Sequence, residues 1–260
     1  MNWSDFIFFA LSALLFWIGG ACCAYFPSTR KMALSLTLIG LLVFAIFIAC
    51  FWINIERPPL RTMGETRLWY SFFLSLAGFL VYYRYSYTWV LSFSTVLSGV
   101  FIFVNWLQPE IHDTALMPVL QSIWFAPHVI VYMFSYALMG VSMLISVYAL
   151  IYKVQAESKK IIYTCDTLTR IGLAFLTIGM LFGSLWAKQA WGHYWGWDPK
   201  ETWAFATFLA YLFYIHLRLA YPQKKRLAFG IQIVAFLLLQ VCWYGVQYLP
   251  SAIGRSIHVY

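Results

Sequence analysis

Eight apolar stretches run almost end to end through the 260-residue chain, near residues 5–25, 32–54, 68–83, 87–107, 127–152, 168–187, 201–221 and 227–248. A helix crossing the hydrocarbon core of a bilayer needs about 20 predominantly apolar residues. All but the third meet that length or come close to it, and the third is the shortest. The chain therefore reads as all-α, a polytopic integral membrane protein of about eight transmembrane helices. Composition agrees: 10% of residues are charged, against about 25% in a soluble domain, so no separate soluble domain is expected. The first stretch is read as a span rather than a signal peptide, because Met1-Asn2-Trp3-Ser4-Asp5 has no basic leader.

The net charge of +8 has a topological explanation. With eight spans, one set of loops carries Arg30, Lys31, Arg84, Lys153, Lys159, Lys160, Arg170, Arg218, Lys224, Lys225 and Arg226, 11 of the 17 basic residues. Seven of the nine acidic residues fall on the opposite side. The positive-inside rule places the basic set in the cytoplasm, so both termini are expected on the external side. No nucleic acid is needed to account for the charge.

Chemistry-bearing residues are unevenly distributed. The first 111 residues contain no His, whereas His112, His128, His193, His216 and His258 all lie beyond them. Residues 186–203 hold five of the 13 Trp. The expected division is residues 1–107 as four scaffold or partner-facing helices and 108–260 as the functional core. The five Cys show no Cys-x-x-Cys or metal-type spacing and read as small apolar residues.

Interfacial Trp belts explain Trp186 or Trp203. They explain less well Trp191, Trp195 and Trp197 interleaved with Gly192 and Gly196. In a helix, Trp191 and Trp195 would share a face, and the glycines would admit a flat ligand to the backbone. Asp198-Pro199-Lys200-Glu201 reads as an N-cap, Pro at N1 and a capping box, so Asp198 is accounted for by capping with or without a ligand.

Pro127 marks the start of the fifth span and puts His128 in its first turn, at the external surface. A helix N-terminus disfavours the imidazolium, which keeps a nitrogen lone pair for a metal. The plain alternative is an anchoring His in the headgroup layer. His258 is either a solvated tail residue or a second external ligand; with His128 and the Trp-rich loop it composes a bis-His haem site. His216 falls in the inner half of the membrane, where an ionisable residue marks function unless it bonds a neighbouring helix. No other His shares that depth, so if His216 binds haem iron with two His ligands the other must come from another chain. His193 is explained by loop polarity, and His112, with Glu110 and Asp113, is a weak metal pattern.

Trp191-Gly192-x-Tyr194-Trp195-x-Trp197-Asp198-Pro199-Lys200-Glu201-Thr202-Trp203 closely resembles the WWD signature of the CcsA/CcmC cytochrome c assembly family. Ser122-x-Trp124-x-x-x-His128-Val129, Tyr211 through His216-x-Arg218, and Ser256-x-His258-x-Tyr260 resemble the segments carrying that family's first external, intramembrane and second external His. The resemblance covers roughly residues 120–260, and the number of spans favours the CcsA (ResC-like) side. It implies a multi-pass protein of the bacterial plasma membrane, or of the thylakoid if plastid-encoded. Such a protein works with a CcsB (ResB-like) partner as a haem lyase or synthetase, bringing haem b across the membrane for attachment to the Cys-x-x-Cys-His motif of apocytochrome c. By the same resemblance His128 and His258 are axial ligands at an external haem site lined by Trp191, Trp195, Trp197 and Asp198. His216 is then one ligand of a membrane-embedded haem. Two other readings stay open: a b-type electron-transfer cytochrome, which normally pairs His at matched depth, and a haem exporter without ligation activity.

Overall fold

A computed structural model describes residues 1–107, 122–152 and 159–250. Among these there are no strands. The principal elements are α1 (Trp3–Cys23), α2 (Arg30–Asn54), α3 (Met63–Tyr85), α4 (Thr88–Leu107), α5 (Phe125–Ile151), α6 (Lys159–Trp191), α7 (Pro199–Ala220) and α8 (Lys225–Gln240). Seven of the described helices are long and apolar enough to cross a membrane, and α3 is the exception. At 23 residues it has the length. It falls short in apolarity, because Glu65, Arg67, Arg84 and several hydroxyl residues interrupt it. The helices form two compact units, α1–α4 and α5–α8.

In the first unit, aromatic rings from α1 and α2 interlock, with Phe6, Trp17, Phe44, Phe47 and Phe51 all buried. A Cβ on Gly40 would come 2.6 Å from the Trp17 ring, so the bare Cα is what lets the indole pack there. The α3–α4 contact uses hydroxyls. Ser75 Oγ donates to Ser98 Oγ at 2.8 Å and Ser98 Oγ to the Ser71 carbonyl at 2.9 Å. Interhelical hydrogen bonds and close approach at small residues hold helices together in lipid, where apolar burial between helices gives little. The start of α3 is fixed by Thr62 and Glu65 in a capping box, and Arg57 grips the Glu65 carboxylate through two bonds of 2.8 and 2.9 Å.

In the second unit α5 and α6 pack along their length. Ser135 Oγ donates to the Gly172 carbonyl at 2.7 Å. Ser142 Oγ lies 2.8 Å from Thr169 Oγ1 and accepts from Gln232 Nε2 of α8 at 2.9 Å. Further along, Asp166 of α6 accepts from Tyr214 Oη at 2.7 Å and from Arg218 Nε at 3.0 Å, tying α7 to α6.

Two boundaries differ from the sequence reading. Helix α6 has 33 residues, which is about 50 Å at 1.5 Å per residue. It therefore includes Lys159 and Lys160, which apolarity alone assigns to a loop. Its backbone ladder continues past the apolar segment until Gly192 ends it. The last span is α-helical only to Gln240 and continues as a π turn, Val241–Gly245, and a 3-10 turn, Val246–Tyr248.

Candidate functional site

The site is built where α5 begins, α6 ends and α7 begins. Helix α5 starts at Phe125, two residues before Pro127, and the Trp124 amide donates to Ser122 Oγ at 3.2 Å. His128 remains in the first turns, where the sequence places it. Its Nδ1–H donates to the carbonyl oxygen of Gly179 on α6, with an N···O distance of 2.8 Å. A carbonyl can only accept, so Nδ1 carries a proton, and in the neutral tautomer with that proton the lone pair is on Nε2. That is the arrangement of a metal-ligating imidazole, whose other nitrogen is held by a carbonyl or carboxylate.

Aromatic rings surround His128. Its centroid is 4.5 Å from that of Tyr132 and 5.7 Å from that of Trp186. Trp186 in turn meets Phe125 at 5.1 Å and Trp191 at 4.9 Å. Trp186 is 2% exposed. It is therefore a wall of the His128 site rather than the belt residue the sequence suggests. Periodicity offered a signal for this: Trp186 lies three and seven residues after Gly183 and Gly179, on the side of α6 that meets α5.

The Trp-rich segment is not a continuous helix. Helix α6 ends at Trp191 because Gly192 adopts φ +85°, the left-handed C-terminal position that glycine fills without strain. The Gly192 amide donates to the Lys188 carbonyl at 3.1 Å. Trp191 and Trp195 consequently do not share a helical face. A Cβ at Gly192 would meet nothing within 4 Å, whereas at Gly196 it would come 2.8 Å from the exposed His193 ring. Open space at the backbone thus exists at the first glycine and not at the second.

Trp197 also has a left-handed backbone, φ +57°, which a bulky residue adopts only when its surroundings hold it there. The restraint comes from Glu201, whose Oε2 accepts from the Gly196 amide at 2.8 Å and the Asp198 amide at 3.1 Å. The Trp197 side chain is left 62% exposed, with Trp195 and Phe205 each 5.7 Å away and edge-on. Asp198 is buried and caps α7, its Oδ1 accepting from the Lys200 amide at 2.8 Å. The capping box and Pro at N1 are as the sequence predicts. Glu201 has a second task that the sequence does not announce, which is to hold the turn that exposes Trp197.

His216 lies toward the other end of α7, about 26 Å along the axis from Pro199 at 1.5 Å per residue. Its Nδ1–H donates to the Leu212 carbonyl of its own helix at 2.8 Å. The side chain is exposed, while Tyr214 and Arg218, on the other side of α7, engage Asp166. His258 and His112 lie outside the described residues.

A bundle of long apolar helices, with an imidazole set among aromatic rings and a Trp-bearing turn beside it, defines a polytopic membrane protein with an aromatic histidine site at one end of its second helical unit. The chain belongs to the family described as cytochrome C assembly protein, whose model matches residues 63–253. It is similar to Protein NrfI of Wolinella succinogenes, 30% identical over 242 residues, covering 86% of this chain and 26% of that protein. It is also similar to the cytochrome c biogenesis protein CcsA of Chlamydomonas reinhardtii, 38% identical over 56% of this chain and 42% of the relative. With CcsA of Cuscuta exaltata it is 30% identical over 82% of this chain and 80% of the relative. The chain thus spans about a quarter of NrfI and less than half of the Chlamydomonas relative. Its fold is that of a solved cytochrome c haem lyase, CcmF, with a TM-score of 0.66 at 18% identity, covering 98% of this chain and 49% of the other. The family read from the Trp-rich motif is borne out.

Proposed function

We propose that this chain is the haem-handling subunit of a cytochrome c synthetase. It takes haem b across the membrane and holds it while the two thiols of a Cys-x-x-Cys-His motif in apocytochrome c add to its vinyl groups. Each addition forms a C–S bond and moves the thiol proton to the neighbouring vinyl carbon. The observation carrying this reading is His128, with its proton fixed on Nδ1 by the Gly179 carbonyl at 2.8 Å and aromatic rings around it. An imidazole so oriented suits haem iron, and exposed indole suits the flat macrocycle.

In this proposal His128 and His258 are the axial ligands of the external haem. Trp191, Trp195 and Trp197 line it, and Asp198 holds the lining turn as the cap of α7. His216 is one ligand of a haem within the membrane. Its exposure on α7, with only its own helix as a hydrogen-bond partner at Nδ1, suits a mate on another chain, and a CcsB (ResB-like) protein is the proposed partner. The segment 1–107 serves as scaffold or partner contact and 108–260 as the haem-handling core. With α3 counted as a span, the basic residues put both termini and the Trp turn on the external side of a plasma or thylakoid membrane.

The experiment is co-expression of the chain with its partner and an apocytochrome c, measuring bound haem and covalently matured cytochrome. His128→Ala and His258→Ala are expected to lose both. Wild-type haem content and maturation in both variants contradict the external site. Reversible quinol-linked reduction without any effect on maturation points instead to electron transfer.

A further inference from the structure

The ring of His128 is seated against the backbone of α6 in a manner that ordinary helix packing does not require. Gly179 and Gly183 are four residues apart and so share one face of α6. The Gly179 carbonyl takes the Nδ1–H bond. A Cβ on Gly183 would lie 2.8 Å from both Cε1 and Nδ1 of His128, inside any real carbon contact. The obstacle is a rigid ring close to its own backbone, not the far end of a flexible chain, so the imidazole itself would have to move. A Cβ on Gly179 would collide with the Tyr132 ring, which is the neighbour on the other side of His128. Trp186, three residues beyond Gly183, closes the seat with its ring plane 27° from that of the imidazole.

We propose, resting on the assignment of His128 as a haem ligand, that Gly179 and Gly183 are positioning residues for that ligand. The Gly179 carbonyl selects the tautomer, and the bare Cα of Gly183 lets the ring reach that carbonyl. A methyl group at Gly183 displaces the ring and lengthens or breaks the Nδ1 bond, which loosens both the orientation and the tautomer of the ligand. Outer partners of metal-bound His typically alter metal affinity by about 10–100-fold when lost. Helix association through small residues predicts something different: every glycine of the α5–α6 contact should matter alike, and only for folding. Gly172 supplies the control. It lies on the same helix interface, where a Cβ would come 3.0 Å from the flexible side chain of Met139 and far from His128.

The test compares Gly183→Ala, Gly172→Ala and His128→Ala in the full chain with its partner. The readouts are the ferrous absorption spectrum, the midpoint potential of the bound haem and the haem dissociation constant. Gly183→Ala is expected to weaken haem binding at least tenfold and to shift both spectrum and potential. Gly172→Ala is expected to keep the wild-type spectrum and potential. If His128→Ala leaves the spectrum unchanged, the ligand assignment itself fails. If His128→Ala changes it and Gly183→Ala does not, the seat is overturned while the ligand stands. Should Gly183→Ala not accumulate, the double variant His128→Ala/Gly183→Ala decides the contact: recovery of folded protein supports a clash between methyl and imidazole, and no recovery overturns it.

Discussion

The indole of Trp186 lies against the imidazole of His128, with ring centroids 5.7 Å apart and planes 27° apart. This pairing joins the last turns of α6 to the first turns of α5, and Phe125 and Trp191 pack on the same indole. Trp186→Ala removes a buried ring with partners on several sides, a change that costs about 3–5 kcal/mol in protein cores. It is expected to lower the thermal midpoint in detergent and the haem-to-protein ratio together. Trp186→Phe keeps a ring there and is expected to fall between Ala and wild type.

Asp198 and Glu201 divide the work at the start of α7. Asp198→Asn retains the capping oxygen and is expected to keep wild-type stability and haem content, whereas Asp198→Ala loses about 1 kcal/mol. A large loss of haem in Asp198→Asn would instead show that the negative charge itself is needed. Glu201→Ala leaves the Gly196 and Asp198 amides without their acceptor, a loss of about 1–3 kcal/mol. It also releases Trp197 from its left-handed backbone. Thermal unfolding read alongside Trp fluorescence checks both effects.

His216 bonds only along its own helix through Nδ1 and is exposed, so its removal should not disturb the isolated chain. His216→Ala is expected to leave the unfolding midpoint of the chain within about a degree of wild type, since surface changes of this kind stay near ±0.5 kcal/mol. On the proposed assignment, the same variant in complex with a CcsB (ResB-like) protein is expected to lose a haem held within the membrane. Difference spectra of solubilised membranes measure this.

The ion pair between Arg218 and Asp166, 3.0 Å from Nε to Oδ1, is largely buried on both sides. It pins the far end of α7 while His216 faces away. A double-mutant cycle with Asp166→Asn and Arg218→Gln should give a coupling of about 0.5–3 kcal/mol. Independent effects of the two changes would mean that the ion pair adds no net coupling between α6 and α7.

Much of this is legible in the sequence. Apolar runs predicted the all-α membrane architecture, and Asp198-Pro199-Lys200-Glu201 announced the start of α7 because caps are read from local chemistry. The extent of α6 was not legible, since a helix ends where its backbone turns, at Gly192, and not where its side chains become polar. Helix α3 is ambiguous for a related reason: beside its apolar packing it meets α4 through hydroxyls, Ser75 donating to Ser98 of α4 and Ser98 to the Ser71 carbonyl. At the site, His128 and the Trp cluster stood out by residue type. The carbonyl of Gly179, the space at Gly183 and the wall formed by Trp186 did not. They act through the meeting of two helices, which a single sequence encodes only in the spacing of small residues. Arg218 illustrates the same limit: from sequence it reads as one of the basic residues of the cytoplasmic loops, and in the fold it is paired with Asp166 on a neighbouring helix.

The most direct test of His128 as a haem ligand is the absorption spectrum of the partnered His128→Gly complex, recorded before and after adding imidazole. Loss of the low-spin bis-His spectrum, restored in large part by free imidazole entering the vacated seat, is the predicted result. A wild-type spectrum in His128→Gly without imidazole contradicts the assignment.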